Sequence, residues 1–185
     1  NGKDVVSASK KMLSEHLQEL IALQQSTGRS LLYEASACAS IPVIRNLEEY
    51  YDNDLLHSIK AIVNGSTNFI LTKMFEEQLS FKEALLLAQQ LGFAETDPTL
   101  DIEGFDAANK WVLLLTHSYG INTSIDKMLF NGITQINEND AKVAQSKNQS
   151  IKLVAQAQKL ANGKVATFLL PQFIDASEHL HFVKN

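Results

Sequence analysis

Between Asp101 and Gly120 the chain carries a helix-length segment whose centre, Trp111-Val112-Leu113-Leu114-Leu115, is apolar on every side. A surface helix keeps a polar face, so a helix without one must lie inside the protein with other elements packed around most of it. Its first part is different. Phe105, Ala108, Trp111, Val112 and Leu115 make the face that must enter the core. Asp106 and Lys110 stand four apart and share another face, which Leu113 and His117 continue. The reading gives one helix over Asp101 to Tyr119, stopped at Gly120. With 185 residues, of which 45% are hydrophobic and 20% charged, the chain is long enough to build a core around it.

The rest of the pattern mixes helices and strands. Asp4 to Ser7 reads as a short strand with no local partner, which hints at something missing upstream; the alternative, which composition alone favours, is a short N-terminal strand that joins the main sheet. Ser9 to about Gln25 has near-helical apolar spacing and Gly28 closes it. Leu31 to Ala35 and Leu56 to Val63 read as strands, and Pro42 suits a first helical turn. Ser66 or Thr67 caps a helix through Phe75. Ser80 to Glu83 is a capping box for a helix that stops at Gly92. Ile133 to Ile136 reads as a strand and Asn139 to Lys147 as a short helix. Ile151 to Leu160 alternates as a strand, Asn162-Gly163 is a hairpin signal, and Lys164 to Leu170 returns. The fold class is therefore α/β of the α+β type: a two-layer sandwich with a mixed, mostly antiparallel sheet covered on one face by helices.

Several functions are disfavoured. The net charge is −5 and no basic run occurs, which argues against nucleic acid. No 18-residue apolar run and no signal peptide are present, so no membrane partner is expected. The one cysteine, Cys38, permits no intrachain disulfide and fits a reducing cytoplasm. No G-x-G-x-x-G, P-loop or G-x-S-x-G motif occurs, and the five histidines show no zinc spacing.

Candidate chemistry concentrates in residues 92–110, which hold five carboxylates and one lysine. By spacing alone, Asp106 and Lys110 read most simply as a helix-surface pair contributing about 0.3–0.5 kcal/mol. The sharper reading is a lysine facing a cleft and exchanging a proton with a substrate oxygen. Glu95 lies in a loop between Gly92 and Pro98. Asn64-Gly65-Ser66-Thr67 opens a helix with backbone donors that suit an anion, or is an ordinary cap.

These segments together resemble homoserine dehydrogenase. The resemblance is carried by Val5-Val6-Ser7-Ala8-Ser9-Lys10, by Tyr33-Glu34-Ala35 with Ile41-Pro42-Val43-Ile44, and by residues 64–74 from Asn64 to Met74. Most specific is residues 91–110, which fit L-G-Y/F-A-E-x-D-P-T-x-D-x-E-G-x-D-A-A-x-K at every fixed position. The resemblance implies NAD(P)-dependent interconversion of L-homoserine and L-aspartate 4-semialdehyde. It implies Lys110 and Lys10 as catalytic lysines, with Asp106 orienting substrate or Lys110. Glu95 and Asp101 would take the substrate ammonium, with Asn64, Gly65, Ser66 and Thr67 also binding substrate. Ala37, Cys38, Ala39 and Ser40 would lie by the cofactor. Glu34, with Ala37 and Ala39, resembles a site for a structural monovalent cation, Na+ or K+. It further implies a homodimer, with residues 1–8 as the last strand region of a truncated dinucleotide-binding domain. Residues 9–185 would form the substrate-binding, catalytic and dimerisation domain.

One departure matters: the family's glycine-rich V-G-G/A-G turn is here Ala37-Cys38-Ala39-Ser40, and glycine allows backbone geometries these residues resist. Two other readings stay open at this point. One is a non-catalytic dimerisation or regulatory domain. The other is a related two-domain oxidoreductase acting on another amino-acid semialdehyde. A phosphorylating semialdehyde dehydrogenase is disfavoured, because Cys38 has no histidine nearby in sequence. The choice between NAD and NADP is not readable from these residues.

Overall fold

The structure, a computed structural model, describes residues 2–50 and 56–184. The chain folds as two compact units. One comprises Asn1–Ile59, Ala108–Met128 and Ala157–Ala166; the other comprises Lys60–Ala107, Leu129–Gln156 and Thr167–Asn185.

In the first unit, β1 (Val5–Val6) runs parallel to β2 (Leu31–Leu32), with Val5 opposite Leu31 and Val6 opposite Leu32. The expected unpaired strand thus has a partner one helix later in the chain. That helix, α1 (Lys10–Thr27), buries Leu13 and Leu17 and stops where Gly28 turns left-handed at φ +62°, its N–H returning to the Gln24 carbonyl. Leu13, Leu17 and Leu113 form a core against which Leu20, Ile21, Leu31 and Tyr33 pack. β2 is shorter than its pattern suggested. After Leu32 the chain turns, and the N–H groups of Ser36 and Ala37 return to the carbonyls of Tyr33 and Glu34. This opens the short α2 (Ala35–Cys38), and α3 (Val43–Tyr50) follows Pro42.

The second unit is built on α4 (Gly65–Glu76), against which α5 (Phe81–Gln90), α6 (Thr99–Ile102) and α8 (Glu138–Ser146) pack. The Ser80–Glu83 capping box forms as read, with both reciprocal bonds present. The cap of α4 comes earlier than expected: it is Asn64, not Ser66 or Thr67, and its side chain accepts from the Thr67 N–H at 2.8 Å.

Four strands make the larger sheet, in the order β3 (Ser58–Ala61), β5 (Gln149–Lys159), β6 (Val165–Asp175), β4 (Leu129–Phe130). β5 and β6 are joined by the tight Asn162-Gly163 turn and so run antiparallel; β4 lies parallel to β6. The sheet is mixed and mostly antiparallel, and the chain as a whole is mixed α/β, as the pattern predicts. Residues Ser150 to Ala155 of β5 are all buried, so both faces of that strand are covered.

Two expectations fail near the apolar helix. The single helix over 101–119 is two: α6 and α7 (Phe105–Tyr119), broken at Gly104, which sits at φ +87°. The strand expected at Ile133–Ile136 is a turn, with the Ile136 N–H bonded to the Ile133 carbonyl. The strand lies just before it, at β4. Both differences have one cause. The backbone at Gly132 crosses that of Ile102 and Glu103 in contact, and the Ile133 N–H donates to the Ile102 carbonyl at 2.7 Å. That contact uses the backbone a strand would need. The apolar centre of α7 is buried as expected: Trp111, Leu113 and Leu115 are fully enclosed.

Candidate active site

The acidic segment is organised by one amide. Asn64 is buried, and its Nδ2 donates to Asp101 Oδ1 at 2.7 Å and to Asp106 Oδ2 at 3.0 Å. Its Oδ1 is already spent on capping α4. Two carboxylates from different helices therefore converge on one amide. A cation, such as an ammonium, is the complement that charge-assisted hydrogen bonding favours.

The neighbouring loop is fixed by its own bonds. Gln89 Nε2 donates to the carbonyls of Glu95 and Thr96 at 3.0 and 3.1 Å. Ser66 Oγ donates to the Phe93 carbonyl at 2.6 Å, and the ring of Phe93 stacks on Phe69. Asp97 accepts from the Thr99 N–H and hydroxyl, and these bonds hold its carboxyl below the usual carboxylate range. Glu95 is exposed, with its backbone anchored by Gln89. Of the helix-start donors read as an anion site, the Thr67 amide is taken by the cap and the Ser66 hydroxyl by Phe93. Gly65 is exposed at that end of α4, and the two carboxylates lie beside Asn64.

The lysines belong to the first unit. Lys10 is the first residue of α1, and Lys110 stands in α7 one turn after Asp106. Both lysines are half-buried. One turn after Lys10, Ser14 Oγ donates to Asn109 Oδ1 at 2.5 Å, so α1 and α7 are tied beside Lys110. The turn at Ala37-Cys38-Ala39-Ser40 is near as well. Burial pushes the Cys38 thiol up, while the positive charge of Lys110 acts on it in the opposite direction. Ala39 holds φ +51° and ψ −115°, a conformation that glycine adopts freely and alanine does not. Ala39 and Ser40 are exposed, whereas Ala37 is buried. Both oxygens of Glu34 accept from the start of α3, from Ile44 N–H at 2.9 Å and Arg45 N–H at 3.1 Å.

Sequence reading missed one network entirely. Tyr33 Oη and His117 Nε2 are 3.2 Å apart, and His117 Nδ1 and Glu48 Oε1 are 2.7 Å apart. Burial, then the charges of Glu48 and Glu34, push the Tyr33 hydroxyl up. These residues are distant in sequence and fit no motif, so nothing in the pattern pairs them.

The family model for homoserine dehydrogenase matches residues 42–185. The homoserine dehydrogenase of Bacillus subtilis is 37% identical over 183 residues, covering 99% of this chain and 42% of that protein. That of Methanocaldococcus jannaschii is 40% identical over 156 residues, covering 84% of this chain and 46% of that protein. Among solved structures, a homoserine dehydrogenase from Thiobacillus denitrificans superposes with a TM-score of 0.92 at 32% identity, over 98% of this chain and 42% of that one. A hyperthermophilic archaeal homoserine dehydrogenase mutant in complex with NADPH gives 0.74 at 31% identity, over 98% and 51%. The chain thus spans about two fifths of the length of the curated relatives it matches.

Proposed function

Since this chain belongs to the homoserine dehydrogenase family, we propose that the whole protein containing it interconverts L-homoserine and L-aspartate 4-semialdehyde with a nicotinamide cofactor. The observation that carries the reading is the Asn64 clamp on Asp101 and Asp106, an acid pair suited to the ammonium of an amino-acid substrate.

In this reading Asp101, with Glu95, receives the substrate ammonium. Asn64, Gly65, Ser66 and Thr67 shape the substrate end of α4, and Asp106 orients substrate or Lys110. Lys110 takes the proton of the substrate hydroxyl during oxidation and returns it to the aldehyde oxygen in reverse. Lys10 stands by the same oxygen and stabilises its charge. A bound nicotinamide supplies the hydride acceptor. Ala37, Cys38, Ala39 and Ser40 would flank it: side chains there are small, and the left-handed Ala39 presents its backbone at an exposed turn. The NADPH complex of the archaeal relative supports a cofactor of this class.

The donor set for a monovalent cation is Glu34 with the carbonyls of Ala37 and Ala39. The two amides of α3 fix the Glu34 carboxylate without using all its lone pairs, so these residues are compatible with a structural ion. We assign residues 1–8 to the end of a dinucleotide-binding domain, and 9–185 to substrate binding, catalysis and dimerisation in a cytoplasmic homodimer. No helix among the described residues is long and apolar enough to cross a membrane.

The test is an assay of the whole protein with L-homoserine and NAD or NADP, beside its Lys110→Ala variant. We expect turnover, and a loss of at least about 100-fold in kcat for the variant, the low end for a positioned proton-transfer group. A wild type inactive on homoserine, or a variant with near-normal kcat, overturns the reading.

A further inference from the structure

Lys152 occupies the middle of β5, between Ile151 and Leu153, where a strand's alternation turns a polar side chain outward to water. It is instead 2% exposed. An ammonium is tolerated at such depth only when its donors are matched, and here all three are. Nζ donates to Asn68 Oδ1 at 3.0 Å, to Thr72 Oγ1 at 3.0 Å and to the Val183 carbonyl at 2.7 Å. Asn68 Nδ2 closes the ring on the same carbonyl at 3.4 Å. Burial lowers the ammonium pKa to about 8, with the charge of Glu76 opposing and that of Lys184 adding to the shift. Glu76 and Lys184 are themselves an ion pair.

Asn64, Asn68 and Thr72 are spaced four apart, so they line one face of α4. The helix is therefore anchored twice along that face. At its cap, Asn64 holds Asp101 and Asp106; one and two turns on, Asn68 and Thr72 are held by Lys152. β5 is a central strand of the sheet, with a strand on each side. A helix packed only through apolar contacts can slide or rotate by fractions of an ångström at small cost. Two directional bonds from a strand, to Asn68 and Thr72, remove that freedom.

We infer that Lys152 is a positioning residue: it seats α4 against the sheet, and through α4 it sets the Asn64 clamp and hence the affinity for the substrate ammonium. What the clamp binds rests on the function proposed above; the seating of α4 does not.

The experiment uses the whole protein, as wild type, Lys152→Met, Asp101→Asn and the double variant. Steady-state kinetics with L-homoserine are paired with amide hydrogen exchange. A partly unfolded population lowers kcat but leaves KM unchanged, so a KM effect separates positioning from mere stability. For Lys152→Met we expect KM for homoserine to rise about tenfold with kcat changed less than about twofold, the signature of lost uniform binding. With Asp101 already changed, adding Lys152→Met should raise KM little further, because the two act on one clamp. Exchange should speed up in α4 and remain as in wild type in α1. Thr72→Val, which removes one of the three acceptors, should give a smaller effect of the same kind.

Wild-type protection of α4 in Lys152→Met overturns the seating role whatever the substrate is. A loosened α4 with unchanged KM, or effects that simply multiply in the double variant, overturns the coupling to the clamp. A wild type that does not oxidise homoserine sinks the functional reading instead, and the exchange rates then decide the role of Lys152 by themselves.

Discussion

Gly132 lies against Ile102 so closely that a Cβ on the glycine would stand 2.0 Å from the Ile102 carbonyl oxygen and 2.5 Å from the Glu103 backbone. Real Cβ atoms do not approach backbone that closely, and backbone cannot rotate away as a side chain can. The contact matters because Ile102 and Glu103 lie between Asp101 and Asp106. Gly132 therefore sets the position of the α6–α7 junction, on either side of which the two clamped carboxylates project.

Gly132→Ala should force these two segments apart. The expected cost is at the upper end of overpacking effects, about 3 kcal/mol or more. If the variant still folds, Asp101 and Asp106 no longer meet Asn64 together, so KM for homoserine rises. Thermal melts and steady-state kinetics on the whole protein check both. A melt within a degree or two of wild type, with KM unchanged, would show that the crossing yields without strain.

Much of this architecture was legible because its signals are local. The Ser80–Glu83 capping box and the Asn162-Gly163 hairpin each fit within four residues, and both form. What was not legible depends on distant partners. Asn64, Ser66 and Thr67 are all competent caps; Asn64 is the one that also meets Asp101 and Asp106, and that is invisible to spacing. The apolar period runs through Gly104 without interruption, so the break there follows only from the Gly132 crossing. Lys152 reads as an outward residue of an alternating strand because alternation cannot say that α4 and Val183 cover that face. The motif over residues 91–110 singles out the acids and the lysine; it does not reveal that one asparagine gathers two of those acids.

Asn64→Asp separates the two duties of that residue. The aspartate still accepts from the Thr67 N–H, so the cap survives. It replaces the donor shared by Asp101 and Asp106 with a third carboxylate. Three acids at hydrogen-bond range raise one another's pKa, so the folded variant binds more protons than the unfolded chain near the carboxylate range. Its stability must then fall as pH rises through that range, the opposite of a protein whose acids are paired. Denaturant melts at pH 4.5 and pH 8 should show a deficit against wild type that is larger at pH 8. A deficit independent of pH would mean that the clamp carries no net charge repulsion.

Ala39 offers a test in the stabilising direction. Its φ of +51° with ψ −115° lies outside the regions an alanine adopts without strain. Such strain costs about 1–3 kcal/mol, while glycine adds about 0.5–1 kcal/mol of unfolded-state entropy. Ala39→Gly should therefore stabilise the protein by about 1 kcal/mol in urea melts, and Ala39→Val should destabilise it. Loss of stability in Ala39→Gly would mean that the turn does not hold this backbone conformation in solution.

Lys152 gives a pH dependence whose sign is opposite to that of a surface lysine pair. Its ammonium titrates at about 8 in the folded protein against an ordinary 10.5, because burial disfavours the charge. Between those values the unfolded chain keeps a proton that the folded chain has released. Stability from this group therefore rises with pH across the window, by about 1.4 kcal/mol per unit at most, and is flat below it. Lys152→Met lacks the titration, so other groups cancel when the two proteins are compared. The stability of wild type minus that of Lys152→Met should be constant from pH 6 to 7.5 and grow from pH 8 to 10. A difference that stays flat over that upper range and falls only above pH 10.5 would mean that the folded state holds the proton more tightly than water does. The three bonds to Asn68, Thr72 and Val183 would then outweigh the cost of burying the charge.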